Sequence, residues 1–234
     1  MRVEIPKVDY WKQQIKCQSA CPVHTDARGY VRAIAQGDYE KAYMIARAPN
    51  PLASICGRIC GAPCEAACRR GDLDEAVSIR ALKRFATEKF GAESGRFDSA
   101  PIDLVRRLVD AGEGECEELE DIKHFLGRFR RQITDGFDDD AKTVGIIGSG
   151  PAGLAAAHDL CLMGIRPPIY EMESVPAGML YLGVPEYRLP RDLIEAEVEV
   201  IKAMGTDIRC KVTIGEDVTL AELREQHDAV LISV

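Results

Sequence analysis

No stretch of the 234-residue chain approaches the ~18 consecutive apolar residues that a membrane span needs. Its opening, MRVEIPKVDYWKQQIKCQSACP, lacks the apolar core of a secretion signal. A basic stripe is missing too: 30 Lys and Arg face 38 Asp and Glu, for a net charge of -8 and a pI near 5.2. Clustered positive charge is what draws proteins to phosphate backbones, so a nucleic-acid partner is disfavoured. No Ser/His/Asp arrangement and no acid pair suggests hydrolysis. His124, His158 and His227 fall in helical segments and are given no catalytic role. There is no internal repeat beyond a cysteine interval and no low-complexity tract. These absences lead us to expect a cytoplasmic protein in which thiols stay reduced and free to act as ligands. The apolar content of 46% is ordinary for globular material, and the length allows two modest domains.

What is present is concentrated. Six of the nine cysteines fall in the first 68 residues, as Cys17-x3-Cys21 and then Cys56-x3-Cys60-x3-Cys64-x3-Cys68. Thiols gathered this way in a reducing compartment point to metal rather than disulfides. Structural zinc sites usually combine a close pair with a second pair well downstream. Thiolates repeating at x3 better suit a larger inorganic core approached by several loops and helix ends, as iron-sulfur clusters are. Zinc and inert buried thiols remain as alternatives. Cys116, Cys161 and Cys210 read as isolated thiols, and His24, three residues after Cys21, suits capping or packing better than ligation.

Residues 1–90 read as mainly helical, with apolar positions at helical spacing in DARGYVRAIAQGDYEKAYMIARA and VSIRALKRFATEKF. Asp26 is an N-cap candidate, and Pro49 and Pro51 close the second helix. Gly57, Gly61 and Pro63 predict that Cys56 to Cys64 lie on a loop or short turns. Residues 91–141 change character. Asp110 to Asp121 carries seven acids and no base, and Ile122, Phe125, Leu126, Phe129 and Ile133 then make the apolar stripe of a docking helix. Residues 142–234 alternate strand and helix: KTVGIIG, GPAGLAAAHDLCLMG, PPIYE, LPRDLIEAEVEVIKAMG and DAVLISV. That order predicts a parallel sheet covered by helices.

Gly148-Ser149-Gly150-Pro151-Ala152-Gly153 follows the first of these strands and opens the helix, the context a dinucleotide fingerprint requires. The first glycine allows the tight turn, the second lets backbone approach a pyrophosphate, and the third lets helix and strand pack closely. Free N–H groups at the helix start face the phosphates. Glu171, 23 residues beyond Gly148, is placed to accept from ribose hydroxyls, and an acid there disfavours a 2'-phosphate. Ala177-Gly178-Met179-Leu180, then GVPEYRLP, supply a small-residue turn and Arg188, a phosphate or flavin contact or else a solvated loop arginine.

The ordered motifs CxxxCPVHTD, GDYEKAY, NPLASICGRICGAPCEAAC, SIRALKR, IIGSGPAGL, YE, GMLYLGVPEYRLP and DAVLIS resemble the small, β subunit of glutamate synthase and its relatives. The N-terminal part also resembles the cluster-bearing helical domain of dihydropyrimidine dehydrogenase. The resemblance implies an α plus α/β chain. A helical iron-sulfur domain would span 1–90, an acidic linker with its docking helix 91–141, and a partial Rossmann-like FAD-binding domain 142–234. It implies FAD at the fingerprint, with Gly148, Ser149, Gly150, Pro151, Ala152 and Gly153 at its pyrophosphate and Glu171 at its ribose. Gly178, Met179, Leu180 and Arg188 would line its further course, and Val212 would sit near the adenine.

For metal the resemblance implies 4Fe-4S clusters, with Cys21, Cys60 and Cys64 in one and Cys17 and Cys68 in another. Relatives carry a CxxC before the position of Cys17, and residues 1–16 contain no cysteine. One cluster is therefore expected, with a second as the alternative, and Cys56 is a candidate for recruitment. The chain contains no second GxGxxG for a nicotinamide cofactor. The implied function is an electron-relaying oxidoreductase component that meets NAD(P)H indirectly and works with a redox partner chain or further residues. The competing readings are an iron-sulfur adapter that docks on a catalytic subunit, and a fragment of a longer enzyme.

Overall fold

A computed structural model describes Tyr10, residues 14–94 and residues 136–234. The acidic segment, Cys116 and the expected docking helix lie outside the described residues. The chain divides into two compact units, Met1–Ser94 and Gly95–Val234.

The first unit is helical. Its helices are α1 (Lys16–Ser19), α2 (Ala27–Ala35), α3 (Tyr39–Arg47), α4 (Ala53–Ile59), α5 (Pro63–Ala66) and α6 (Ile79–Phe90). The Asp26 carboxylate accepts from Gly29 N at 2.9 Å and Asp38 from Lys41 N at 3.1 Å, so each of the two longer early helices begins on a side-chain cap. Between them the chain turns at Gly37, whose φ of 79° is the left-handed value glycine tolerates best. The N-cap and the proline stop after α3 are both where the sequence predicts them.

Helix α6 is the spine of this unit, packing against α2, α3 and α4. Buried Tyr30, Ala42, Tyr43, Ala46, Ala53, Ile55 and Ala86 fill the shared core. The Tyr30 hydroxyl donates to Ile79 O at 3.1 Å, tying α2 to the start of α6. Arg58 reaches Glu88 at 3.2 Å and Glu93 at 3.0 Å, closing α4 against the other end of α6.

The cysteine run departs from the loop expected of it. Cys56 lies within α4, and the helix ends at Cys60, where ψ opens to 137°. Gly57 suggested a turn, yet a Cβ there would stand 3.0 Å from Arg84 Cα. That glycine lets α4 approach α6 rather than breaking the helix. The reversal comes later, at Ala62, whose φ of 52° is left-handed. Cys64 then sits on the short α5.

The second unit contains β1 (Val144–Ile147), α7 (Pro151–Leu162), β2 (Ile169–Glu171), α8 (Met179–Leu182), α9 (Arg191–Ala203), β3 (Ile208–Cys210), α10 (Leu220–Gln226) and β4 (Ala229–Ile232). All pairings are parallel in the order β3-β2-β1-β4. Ile146 and Ile169 are fully buried at neighbouring register, under Leu154 and Ala157 of α7 and Ile194 and Ile201 of α9. The α plus α/β class read from the sequence is the observed one. Three elements escaped that reading, among them α8, a four-residue helix where the sequence offers a small-residue turn. Strand β3 is only three residues long, too short to show alternation, and α10 depends on the Thr219–Glu222 capping box rather than on a broad apolar face.

The strand order places a topological switch at β1, because the chain steps to β2 and β3 on one side and returns to β4 on the other. Ligands of open parallel sheets bind where such a reversal opens a crevice at the carboxyl ends of strands. Gly148 sits at that point with φ of 97°, and Ser233, just past β4, donates to Ile147 O and Gly148 O, each at 3.0 Å. A Cβ on Gly153 would fall 2.1 Å from Gly148 O, so only glycine lets α7 start this close to the strand. Gly153→Val is expected to destabilise the sheet unit by about 1–3 kcal/mol through forced overpacking. Chemical denaturation followed by circular dichroism measures it, and an unchanged midpoint would mean that the approach is not tight.

Candidate metal and dinucleotide sites

Cys21, Cys56, Cys60 and Cys64 line one cavity of about 40 Å3 in the helical unit. That is about three times the room one water needs on the same measure. Its other polar walls are Thr25, Tyr30, Arg80 and Lys83. The turn at Ala62 is what returns the chain toward α4: Ala62 N donates to Cys60 Sγ at 3.4 Å. Arg80, at the start of α6, donates through Nη1 to Cys60 O at 2.7 Å, and its own N–H donates to Glu65 at 2.7 Å. One residue thereby fixes the segments on both sides of the reversal.

Cys17 lies on α1 and Cys68 precedes a short 3-10 turn, Arg69–Asp72; both are half-buried and neither lines the cavity. His24 is exposed, its Nδ1 3.3 Å from Gln18 O, and does not line the cavity. Among the described residues, no three His, Cys, Asp or Glu side chains converge as they would on a single metal ion. Thiolates around one zinc stand only ~3.8 Å apart, given Zn–S bonds of ~2.3 Å in a tetrahedron. Four soft donors around a shared space, with cations in its wall, fit a larger thiophilic core.

The electrostatics agree with a site made for positive charge. Burial pushes the Cys64 thiol up, and a thiolate at Cys60 adds to the effect. Burial also acts upward on Cys21, but hydrogen bonds from the Thr25 main chain, the Thr25 hydroxyl and the Val23 main chain, with Lys83 nearby, bring it below the ordinary thiol value. Tyr30 is driven above the phenol range by burial first, then by the Cys64, Cys21 and Cys17 thiolates. A bound cationic core relieves this mutual repulsion.

In the sheet unit, the first intrahelical bond of α7 runs from Leu154 N to Gly150 O at 3.0 Å. The N–H groups of Ala152 and Gly153 therefore precede the ladder at the helix start. A Cβ on Gly150 would meet nothing within 4 Å, so the middle glycine borders open space where a pyrophosphate can approach the backbone. Ala177 and Gly178 follow in succession with φ of 82° and 52°, and a Cβ on Gly178 would stand 3.3 Å from Gly150 Cα. The second small-residue turn thus lies against the fingerprint. These features suit a dinucleotide.

Glu171 ends β2 and is only 5% exposed. Its Oε2 accepts from Ser149 N at 2.9 Å and from the Ser149 hydroxyl, and Oε1 accepts from Glu173 N at 2.9 Å. The carboxylate that the sequence assigns to a ribose thus also pins the fingerprint loop to the neighbouring strand. Ser149 extends the network, its hydroxyl accepting from Ala177 N at 3.1 Å. Val212 N donates to Glu171 O at 2.9 Å, so that residue is beside the expected ribose position. Leu180 is buried, while Met179 and Arg188 are exposed.

The arginine that organises this region is one the sequence reading passed over. Arg191 donates to Leu180 O at 3.1 Å and Val184 O at 2.9 Å and stacks 4.9 Å from the Tyr181 ring centre. Its signal was its place one residue after the proline that opens α9. An opening of about 340 Å3 in this unit, beside β4 and His227, lies at the sheet edge rather than at the fingerprint.

Burial acts upward on the Glu171 carboxyl, yet its bonds from Ser149 and Glu173 hold it below the ordinary value. A depressed folded value contributes stability that is present above the unfolded pKa and is lost as pH falls through the folded one. Glu171→Gln is therefore expected to cost about 1.5–3 kcal/mol near neutral pH, the worth of hydrogen bonds to a charged group. The gap from wild type should narrow as pH falls through and below the ordinary carboxylate range. Urea unfolding of both proteins across this range checks it; a gap independent of pH would assign the loss to packing.

Comparison with known proteins finds relatives for this chain. Residues 12–94 match the model of dihydropyrimidine dehydrogenase domain II, 4Fe-4S cluster. The chain is 39% identical over 220 residues to the β subunit of an NADP(+)-dependent formate dehydrogenase of Moorella thermoacetica, which covers 93% of this chain and 29% of that subunit. It is 33% identical over 224 residues to the β subunit of an NADPH-Fe(3+) oxidoreductase of Geobacter sulfurreducens, covering 95% and 28% respectively. With the PreT subunit of the NAD-dependent dihydropyrimidine dehydrogenase of Escherichia coli the identity is 30% over 220 residues, covering 93% and 45%. The chain thus spans less than half the length of these relatives. Among the described residues no helix is long and apolar enough to cross a membrane. The chain is a homologue of NAD(P)H-linked oxidoreductase subunits, and its residues 12–94 resemble dihydropyrimidine dehydrogenase domain II, 4Fe-4S cluster.

Proposed function

We propose that this chain is the electron-relay part of an iron-sulfur flavoprotein oxidoreductase, with FAD at the fingerprint and a 4Fe-4S cluster in the cysteine cavity. The observation that carries the reading is the meeting of four thiols in one cavity, inside a segment that matches a 4Fe-4S family. FAD supplies two-electron exchange with a nicotinamide, and the cluster supplies single-electron transfer onward.

The chain's own part is to hold, orient and insulate. Cys21, Cys60 and Cys64 serve as thiolate ligands, and the Ala62 N–H and the Arg80 and Lys83 cations set the electrostatic surroundings on which a cluster's potential depends. In the sheet unit, the Ala152 and Gly153 N–H groups take the pyrophosphate and Glu171 takes a ribose hydroxyl on the lone pairs that Ser149 and Glu173 leave open. Gly178, Met179, Leu180 and Arg188 border the rest of the flavin, with Val212 at the adenine. An acid at Glu171 disfavours a 2'-phosphate and so argues against NADP here; FAD is the dinucleotide that the resemblance implies, with the nicotinamide met through a partner chain or further residues. Cys17 and Cys68 remain candidates for a second cluster whose other ligands come from elsewhere. Relatives named as β subunits support a partner subunit as the electron donor or acceptor.

Anaerobically purified protein should carry iron and acid-labile sulfide in about equal amounts together with a flavin spectrum. Cys60→Ala is expected to remove most of the iron and sulfide while leaving FAD binding within about twofold. Gly150→Val should weaken FAD by about tenfold or more, because its side chain fills the pyrophosphate approach, and should leave iron unchanged. Metal analysis and flavin fluorescence titration read both. Zinc without sulfide, or FAD affinity indifferent to Gly150→Val, would refute the corresponding half.

A further inference from the structure

We propose that Cys56 is the fourth ligand of the cluster held by Cys21, Cys60 and Cys64, making the site wholly thiolate-ligated. The inference rests on the reading that the cavity holds a 4Fe-4S cluster, and it concerns how that cluster is closed.

A cubane needs four ligands, and the side chains lining the cavity limit the choice. Pro22, Ala27, Ala62 and Pro63 carry no donor atom. Arg80 and Lys83 are cations whose nitrogens have no lone pair at neutral pH. Tyr30 OH gives its proton to Ile79 O at 3.1 Å, which holds the hydroxyl in its neutral, protonated form. The Thr25 hydroxyl is 3.6 Å from Cys21 Sγ and serves that sulfur as a partner. Cys56 is the remaining side chain in the wall with a soft donor to offer.

Its place in the chain fits the role. Cys60 N donates to Cys56 O at 3.2 Å, so the two cysteines stand one turn apart and share a helix face. The close approach that Gly57 permits between α4 and α6 keeps that face against the segment carrying Arg80 and Lys83. Cys21 then arrives from the turn after α1 and Cys64 from α5, so the donors reach the cavity from three elements. Four thiolates on an oxidised cubane leave two negative charges, which the Arg80 and Lys83 cations balance.

The test compares anaerobic, cluster-loaded wild type with Cys56→Ala and Cys68→Ala during mild ferricyanide oxidation. A cubane held by three thiolates sheds its unique iron: one Fe2+ leaves, ferricyanide takes one electron, and a three-iron core stays on the three remaining sulfurs. Cys56→Ala should lose about a quarter of its cluster iron and gain the electron paramagnetic resonance of a three-iron centre. Wild type and Cys68→Ala should keep this cluster's four irons. Equal conversion of wild type and Cys56→Ala overturns the proposal and hands the fourth position to solvent or an exogenous ligand; conversion in neither overturns it in favour of a different protein ligand.

Should Cys56→Ala not fold, thiol alkylation with peptide mapping decides. Cys56 of the wild type should be protected while the cluster is present and labelled once it is stripped; labelling in the loaded protein overturns the proposal. Wild type that takes up no iron and sulfide refutes the cluster reading itself, whereas a loaded wild type indifferent to Cys56 refutes only its ligation.

Discussion

The helical unit depends on a reversal between Cys60 and Cys64. Without it, cysteines spaced by x3 along one helix would stand in a row on one face, about 6 Å further along the axis at each step, rather than close around a common centre. The break is made by Ala62 in a left-handed conformation, which costs an L-residue about 1–2 kcal/mol. Arg80 offsets that cost by holding Cys60 O and, through its own N–H, Glu65, while the Ala62 N–H is turned onto Cys60 Sγ. The turn therefore does two things at once, gathering donors and aiming a main-chain dipole at one of them. A strained residue stabilised by its surroundings is common where the chain must present chemistry.

The sheet unit solves a related problem with different parts. A dinucleotide phosphate needs main-chain N–H groups left free at a helix start, and a loop with free N–H groups is held by few bonds of its own. The Ser149–Glu171 contact supplies the missing restraint from the neighbouring strand, and Ala177 N joins it from the following turn. Glycines at 148 and 153 then let strand and helix close around the loop. In both units one polar contact, Arg80 to Cys60 O or Ser149 to Glu171, sets the position of groups that have to stay available. This is the division of labour expected where cofactors carry the chemistry and the protein supplies position and charge.

Much of this arrangement was legible in the sequence because it depends on short-range rules. Asp26 as a cap, the prolines after α3, a glycine fingerprint between strand and helix and an acid at the end of the next strand all sit within a few residues of what they control. The misreading of Gly57 came from a long-range cause: that glycine serves the approach of α4 to Arg84, 27 positions away, and a single sequence does not separate this from a turn signal. The importance of Arg191 over Arg188 was hidden similarly, since both follow the same turn and only the folded chain shows which one reaches the carbonyls of α8 and Val184. The cysteine interval announced metal, but the division of six thiols into four that line one cavity and two that do not is a matter of side-chain direction.

The central claim is that the cavity lined by Cys21, Cys56, Cys60 and Cys64 holds a four-iron cluster. Mössbauer spectroscopy of anaerobic protein enriched in iron-57 tests it most directly, because it reads the spin state and valence of every iron present. The account predicts the diamagnetic, valence-delocalised signal of an oxidised 4Fe-4S core, which is lost in protein lacking Cys60 and Cys64. Isolated high-spin ferrous iron, or iron that remains when both cysteines are replaced, would contradict it.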